Sequence, residues 1–303
     1  MAHPERDAAT DLRGAGFRGE LRPESPLAPY TTWRIGGPAE LLATPADRTD
    51  LVLAVEWAVV RGLPWRVLGN GSNLLVRDEG VRGLVLRVRK ALEEIEVEDP
   101  RLVVGAGAMF PAVAHRAAAL GLAGIEFGAG IPGTIGGAIV MNAGWHEFEI
   151  GKVVLAVEFL EANGVVHRHP RAGCGFGYRR SHFHGHPGVV LAATLILERD
   201  EQAAIEARME RFAASRKANQ PTESPSCGSV FLKPERDFAG RLIEEAGLKG
   251  LRVGDIQVSP KHANFFVNLG SGTAADALAL VERVEEEVQR RFGVQLVREF
   301  ELW

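Results

Sequence analysis

Glycine is placed in this chain where it most limits the fold. Of 303 residues, 35 are glycine, well above the usual ~7%, and they concentrate in LGNGSN at 68–73 and GAGIPGTIGGAIVMNAG at 128–144. The first stretch follows the apolar run 65–68. A strand entering Gly69-Asn70-Gly71-Ser72-Asn73 can turn successive backbone N–H groups toward an anion, with Ser72 and Asn73 adding side-chain donors. The same residue types also build ordinary tight turns. Leu74 stands where a dinucleotide fingerprint would carry its third glycine. In the second stretch, 128–133 spells G-x-G-x-x-G. Pro132 with Gly136 and Gly137 makes a sustained helix costly there, so the match reads as coincidence. Extended or turning backbone is expected instead, open to close approach by a flat ligand and prolonged through Asn142 to Gly144. Together the two stretches predict one large cofactor, its pyrophosphate on the first and its ring system near the second.

Composition narrows the class. Hydrophobic residues make up 46% and charged residues 24%, with a formal net charge of −4, so the chain can bury a large core and has no basic block to neutralise a nucleic-acid backbone. Cys174 and Cys227 have neither metal-ligand nor disulfide-framework spacing. With a polar N-terminus lacking an apolar signal core, they predict a cytoplasmic protein without a bound metal. Residues 127–146 are uncharged and long enough to span a bilayer, but glycine, proline and asparagine leave too little apolar side chain, and no basic cluster flanks them. No membrane association is expected.

Several segments repeat a helix, a Gly stop and a short strand. Thr49 is expected to cap a helix over 50–61 ended by Gly62, followed by a strand at 65–68. Pro111 suits the first turn of a helix ended at Gly121, and helices are predicted over 238–246, ended by Gly247, and 274–292. In the last, Leu278, Val281, Val284, Val288 and Phe292 form one stripe. Strands are predicted at 83–88, 101–104, 153–160, 189–197 and 263–269. A charged helix at 200–217 runs into the proline- and serine-rich loop 220–226, which marks a boundary. The alternation makes the chain α/β or α+β with mixed sheets.

Seven strings, in order, resemble the UDP-N-acetylenolpyruvoylglucosamine reductase family: TTWRIGGPAE (31–40), LGNGSNLLV (68–76), GIPGTIGGAIVMNAG (130–144), FGYRRSHF (176–183), PSCGSVF (225–231), AGLKG (246–250) and VSPKHANFFVN (258–268). The resemblance implies an α+β protein: a two-lobed FAD-binding fold of the vanillyl-alcohol-oxidase (PCMH) type plus a third, α+β lobe for the UDP-sugar. The lobes are expected at 1–88, 89–215 and 216–293, with 294–303 returning to the second. It implies an oxidoreductase of peptidoglycan synthesis, with FAD as cofactor and NADPH as co-substrate, that reduces an enolpyruvyl group in two half-reactions. Hydride addition at the methylene carbon leaves carbanion character beside a carboxylate, so added negative charge must be stabilised and the carbon protonated. A monomer is expected.

By the same resemblance, Arg179 is the catalytic arginine, whose planar fork suits a carboxylate and its developing enolate. Ser229 is the proton donor, and Glu299 the third catalytic residue. Cys227, two residues before Ser229, is set aside as a nucleophile for want of a paired base. The FAD contacts are expected from Gly69, Asn70, Gly71, Ser72, Asn73, Leu74, Gly128, Ala129, Ile131, Pro132, Gly133, Thr134, Gly136, Gly137, Ala138, Asn142 and Gly144. Lys217 falls where the family holds the substrate diphosphate; Tyr178, Lys261, His262 and Asn264 are expected around the sugar nucleotide or nicotinamide. Having only two tyrosines, Tyr30 and Tyr178, the chain resembles the shorter subtype that lacks a covering tyrosine loop. Lys233 replaces a common asparagine. Two other readings of the residues are a Rossmann dehydrogenase on 128–133, with Glu147 or Glu149 at the ribose, and a flavin-bearing module without chemistry.

Overall fold

Apolar alternation and short helices place two separate cores along the chain. A computed structural model describes residues 4–303, with side chains from Ala8 onward. It divides into two compact units: residues up to Ser25, Glu40–Asn70 and Arg82–Ala214 in the first, and Pro26–Ala39, Gly71–Val81 and Ser215–Trp303 in the second. The arrangement is α+β.

The first unit holds a five-stranded antiparallel sheet in the order Val166–Pro170, Val154–Glu161, Gly188–Ile196, Arg101–Gly105, Ile95–Glu98. The central strands bury Val157, Phe159, Leu160, Val189, Leu191, Ala193 and Leu195, which gives them the apolar runs legible in the sequence. The flanking strands Ile95–Glu98 and Val166–Pro170 are largely exposed and carry Glu, His and Arg, so their sequence gives no alternation to read. In the four-stranded sheet of order Glu20–Pro26, Pro38–Thr44, Val81–Arg87, Trp65–Leu68, the last two strands are parallel. Helix Arg48–Val60 precedes Trp65–Leu68; its N-cap is Asp47, not Thr49, because the Asp47 carboxylate accepts from the Asp50 N–H at 3.0 Å.

One expectation fails at the glycines. Residues 135–141 are not extended: Ile135–Met141 is helical, capped by Thr134. The physical reason is tertiary. Ile135 N–H donates to the Ala108 carbonyl at 2.9 Å and Gly136 N–H to Ala106 at 2.8 Å, so the first-turn donors that would otherwise be orphaned are satisfied by a neighbouring turn. A Cβ on Gly136 would lie 2.9 Å from Ala106 Cβ and 3.1 Å from its carbonyl oxygen. Glycine there is the condition for the helix to seat, and that contact outweighs its poor propensity.

In the second unit, Ser226–Ser229, Phe265–Asn268, Ile256–Val258 and Arg252–Val253 form an antiparallel sheet. It packs with helices Ala239–Glu245 and Ala274–Phe292 around Val230, Phe231, Ile243, Phe266, Leu280, Val281 and Val284. The long helix buries Ala274, Ala277, Leu280, Val281, Val284 and Val288, so its apolar stripe is rotated from the expected one and leaves Phe292 exposed. The C-terminal segment does not return to 89–215. Glu301 and Leu302 pair in parallel with Leu74 and Leu75, and the Asp78 carboxylate accepts from Ala274 and Ala275 N–H, drawing 71–81 into this unit. A two-residue parallel pairing has no sequence signature of its own.

Gly136→Ala is expected to cost about 1–3 kcal/mol through overpacking against Ala106. A lowered denaturant midpoint at unchanged slope checks it; an unchanged midpoint would mean the helix seat is soft.

Candidate flavin and substrate residues

Within the first unit the two glycine stretches meet. A Cβ on Gly69 would lie 2.6 Å from Thr134 Oγ1, and Asn70 Nδ2 donates to the Pro132 carbonyl at 2.7 Å. Only a residue without a side chain can stand so close to Thr134, which explains Gly69 by packing. Gly128 is likewise covered, its absent Cβ falling 2.3 Å from the Phe110 ring. Gly137 differs: it is exposed, and the nearest atom to a Cβ there is Thr134 Oγ1 at 3.7 Å. Gly69, Asn70, Ala129, Ile131 and Gly144 are half-buried and Pro132 exposed, whereas Gly133, Thr134, Gly136 and Ala138 are buried. The half-buried and exposed members form a side-chain-poor surface, a cradle that a Cβ at Gly137 would begin to fill. That surface fits the close approach of a flat, phosphate-bearing group such as FAD. The letters G-x-G-x-x-G lie on the 3-10 turn Glu126–Gly130 and the loop after it, not on a strand-to-helix turn.

Asn142 corrects an expectation. It was expected on the cofactor, but it is 1% exposed and its amide is taken up by protein. Oδ1 accepts from Gly151 N–H at 3.0 Å, and Nδ2 donates to the Gly177 carbonyl at 2.9 Å and to Glu149 Oε2 at 3.1 Å.

Arg179 occupies the corner of a tight turn. Gly177 and Arg180 exchange backbone hydrogen bonds of 3.0 and 3.2 Å, leaving Tyr178 and Arg179 as the two corner residues. Arg179 has φ +53°, a left-handed conformation that costs a non-glycine residue on the order of 1–3 kcal/mol. Its Nη2 donates to the Gly144 carbonyl at 2.9 Å, and its guanidinium carbon lies 5.5 Å from the centre of the half-exposed Tyr178 ring. The guanidinium therefore stands at the end of the second glycine stretch. Sequence reasoning missed Ser181 here: its Oγ donates to the Val140 carbonyl at 2.8 Å.

The second unit gathers Ser229, Glu299 and Asn73 from three distant segments. Phe231 pairs with Arg298, and Glu299 N–H donates to the Val230 carbonyl at 2.8 Å, so Glu299 sits across from the residue that follows Ser229. Asn73 Nδ2 donates to the Glu299 carbonyl at 3.1 Å. Arg298 holds Glu285 through two bonds of 2.7 Å, fixing the segment that carries Glu299. Ser229 and Glu299 are both half-buried. Gly71, at φ +59°, turns the chain where a side chain would strike the Tyr30 carbonyl at 2.4 Å; Ser72 is half-buried and Leu74 buried.

Of the expected substrate residues, Lys217 and Lys261 are exposed and adjacent: Lys261 Nζ donates to the Lys217 carbonyl at 2.6 Å. His262 Nδ1 accepts from Asn264 N–H at 3.2 Å, and burial holds its imidazole below the ordinary range. Asn264 is the second correction. Its Oδ1 accepts from Phe231 N–H at 3.0 Å and its Nδ2 donates to Phe231 O at 2.8 Å. The buried amide thus brackets the backbone just past Ser229, a framework role.

Burial, with the Glu299 carboxylate nearby, pushes the Cys227 thiol far above its ordinary range, and burial alone pushes Cys174 up to about 11. Neither supplies a thiolate near neutrality. A chromogenic disulfide at pH 8 is expected to find no reactive thiol in the folded protein and both cysteines after denaturation; rapid labelling of Cys227 before unfolding would show the core around it to be open. Gly137→Ala is expected to keep or slightly raise stability, since alanine favours helix by about 0.5–1 kcal/mol, yet to lower flavin content in the purified protein. Full flavin occupancy in that variant would remove Gly137 from the cofactor surface.

The described residues include no helix long and apolar enough to cross a membrane. Two family models match the chain: "FAD binding domain" over residues 39–169, which takes in both glycine stretches, and "UDP-N-acetylenolpyruvoylglucosamine reductase, C-terminal domain" over 220–303. Among curated relatives, the UDP-N-acetylenolpyruvoylglucosamine reductase of Rubrobacter xylanophilus is 49% identical, covering 90% of this chain and 92% of that protein. The reductase 2 of Symbiobacterium thermophilum is 46% identical over 94% and 92% of the two chains. Among solved structures, the UDP-N-acetylenolpyruvylglucosamine reductase of Thermus caldophilus superposes with a TM-score of 0.81 at 42% identity, covering 95% of this chain and 99% of that one. With nearly the whole of both sequences aligned at that identity, this chain belongs to the UDP-N-acetylenolpyruvoylglucosamine reductase family.

Proposed function

We propose that this protein is the NADPH-dependent, FAD-containing oxidoreductase that reduces the enolpyruvyl group of UDP-N-acetylglucosamine-enolpyruvate to give UDP-N-acetylmuramate in peptidoglycan precursor synthesis. The observation that supports the reading is the glycine-built surface at Gly69–Asn70 and 129–137 together with Arg179, whose guanidinium ends on the carbonyl of Gly144, the last glycine of the same sequence stretch. Reduction of an enolpyruvyl group needs a cofactor surface and a cationic fork for the carboxylate, and these two features supply them. Bound FAD supplies the two-electron relay between NADPH and the methylene carbon.

The residue roles follow from charge. Arg179 holds the substrate carboxylate and the enolate character that develops on reduction, in two bonds that a lysine would not reproduce. Ser229 gives its proton to the neighbouring carbon, a transfer a neutral hydroxyl makes only as negative charge builds there. Glu299 orients the carboxylate end of the intermediate. Lys217 bears on the diphosphate, with Tyr178, Lys261 and His262 around the sugar nucleotide or nicotinamide. In this reading residues 1–88 and 89–215 carry FAD, 216–293 take the UDP-sugar, and the protein works as a cytoplasmic monomer.

A purified protein with near-stoichiometric flavin bands is expected; a colourless, folded protein would overturn the reading. Ser229→Ala should leave flavin reduction by NADPH intact while slowing reoxidation by the enolpyruvyl nucleotide about 10²–10⁴-fold. Unchanged reoxidation, followed by stopped-flow absorbance, would remove Ser229 as proton donor.

A further inference from the structure

We infer that Asn142 and Ser181 are positioning residues for Arg179, an inference that rests on the role of Arg179 proposed above. A two-residue turn with a left-handed corner at φ +53° is a poor platform for a charge that must meet a carboxylate. Here both of its stems are tied to the end of the same short helix. On the upstream side the Gly177 carbonyl accepts from Asn142 Nδ2 at 2.9 Å. On the downstream side Ser181 Oγ donates to the Val140 carbonyl at 2.8 Å and accepts from Phe183 N–H at 3.3 Å.

The anchor itself is locked. Asn142 closes helix Ile135–Met141 at φ +45°, is 1% exposed, and is held by Gly151 N–H and the Glu149 carboxylate. Ser181 is 9% exposed. The Arg179 head returns to the Gly144 carbonyl at 2.9 Å, two residues beyond Asn142. Segment 140–144 therefore holds the turn before, after and at the tip of Arg179. Asn142 and Ser181 hold the backbone on either side of Arg179, so their effect reaches substrate through the guanidinium. A displacement of about 1 Å at such a group costs on the order of 10²-fold in rate.

The test uses the flavin-loaded enzyme. Ser181→Ala and Asn142→Gly, the latter keeping the left-handed backbone accessible, should each raise KM for the enolpyruvyl nucleotide or slow reoxidation by about tenfold or more. Flavin content and reduction by NADPH should stay within about twofold, and Ser181→Thr, which keeps the hydroxyl, should recover the wild-type reoxidation rate. In an Arg179→Ala background, adding Ser181→Ala should cost nothing further. Equal cost in both backgrounds, or parallel slowing of the NADPH step, would overturn the inference and leave the role of Arg179 standing. An Arg179→Ala enzyme with wild-type reoxidation would instead overturn that role itself, and the positioning role with it. Should Asn142→Gly fail to fold, the Ser181 pair and the double variant still decide the matter.

Discussion

The seat of helix Ile135–Met141 on the turn at 106–108 is the contact on which the first unit's candidate site depends. Three hydrogen bonds make it: Ile135 N–H to Ala108, Gly136 N–H to Ala106, and Phe110 N–H back to Gly133. They are possible only because Gly136 brings no Cβ toward Ala106. From this seat Thr134 meets Gly69, the Pro132 carbonyl meets Asn70, and Val140, Asn142 and Gly144 meet the turn that carries Arg179. A helix with two glycines in its first turn is weak by propensity, so tertiary hydrogen bonds and close packing hold it.

The second unit solves its positioning problem differently. Ser229 and Glu299 are carried by backbone pairing, with the C-terminal segment laid along 230–232 and fixed by the Arg298–Glu285 fork. The buried Asn264 amide completes this by imitating a neighbouring strand, meeting both the N–H and the carbonyl of Phe231. Such brackets are stable because a buried amide with every polar atom paired avoids the desolvation cost of an unsatisfied one. The same logic governs Asn142 in the first unit. Both asparagines lie inside motif strings, where an amide suggests ligand contact, and both turn out to hold backbone.

Helix and strand positions were legible wherever one face is buried. Helices at 110–119, 239–245 and 274–292 and the central strands at 101–105, 154–161 and 188–196 follow from apolar spacing and Gly stops. Edge strands such as Val166–Pro170, with His and Arg on an exposed ribbon, carry no such pattern. Thr49 lost the helix cap to Asp47 because both are good caps and only the backbone path selects between them.

The sequence by itself determined that two glycine-rich segments must lie where the backbone is closely approached and which family the motif order resembles, and it is only through that resemblance that Arg179, Ser229 and Glu299 are singled out. These are local properties, set by residue type and order. Only the tertiary structure decided which glycines are bare because protein covers them, as at Gly69, Gly128 and Gly136, and which face outward, as at Gly137. It alone tied Gly177 and Ser181 to one helix end and laid Glu299 beside Val230. Contacts between residues tens to hundreds of positions apart leave no periodicity in the chain; they exist because packing and the pairing of buried polar groups must be satisfied all at once.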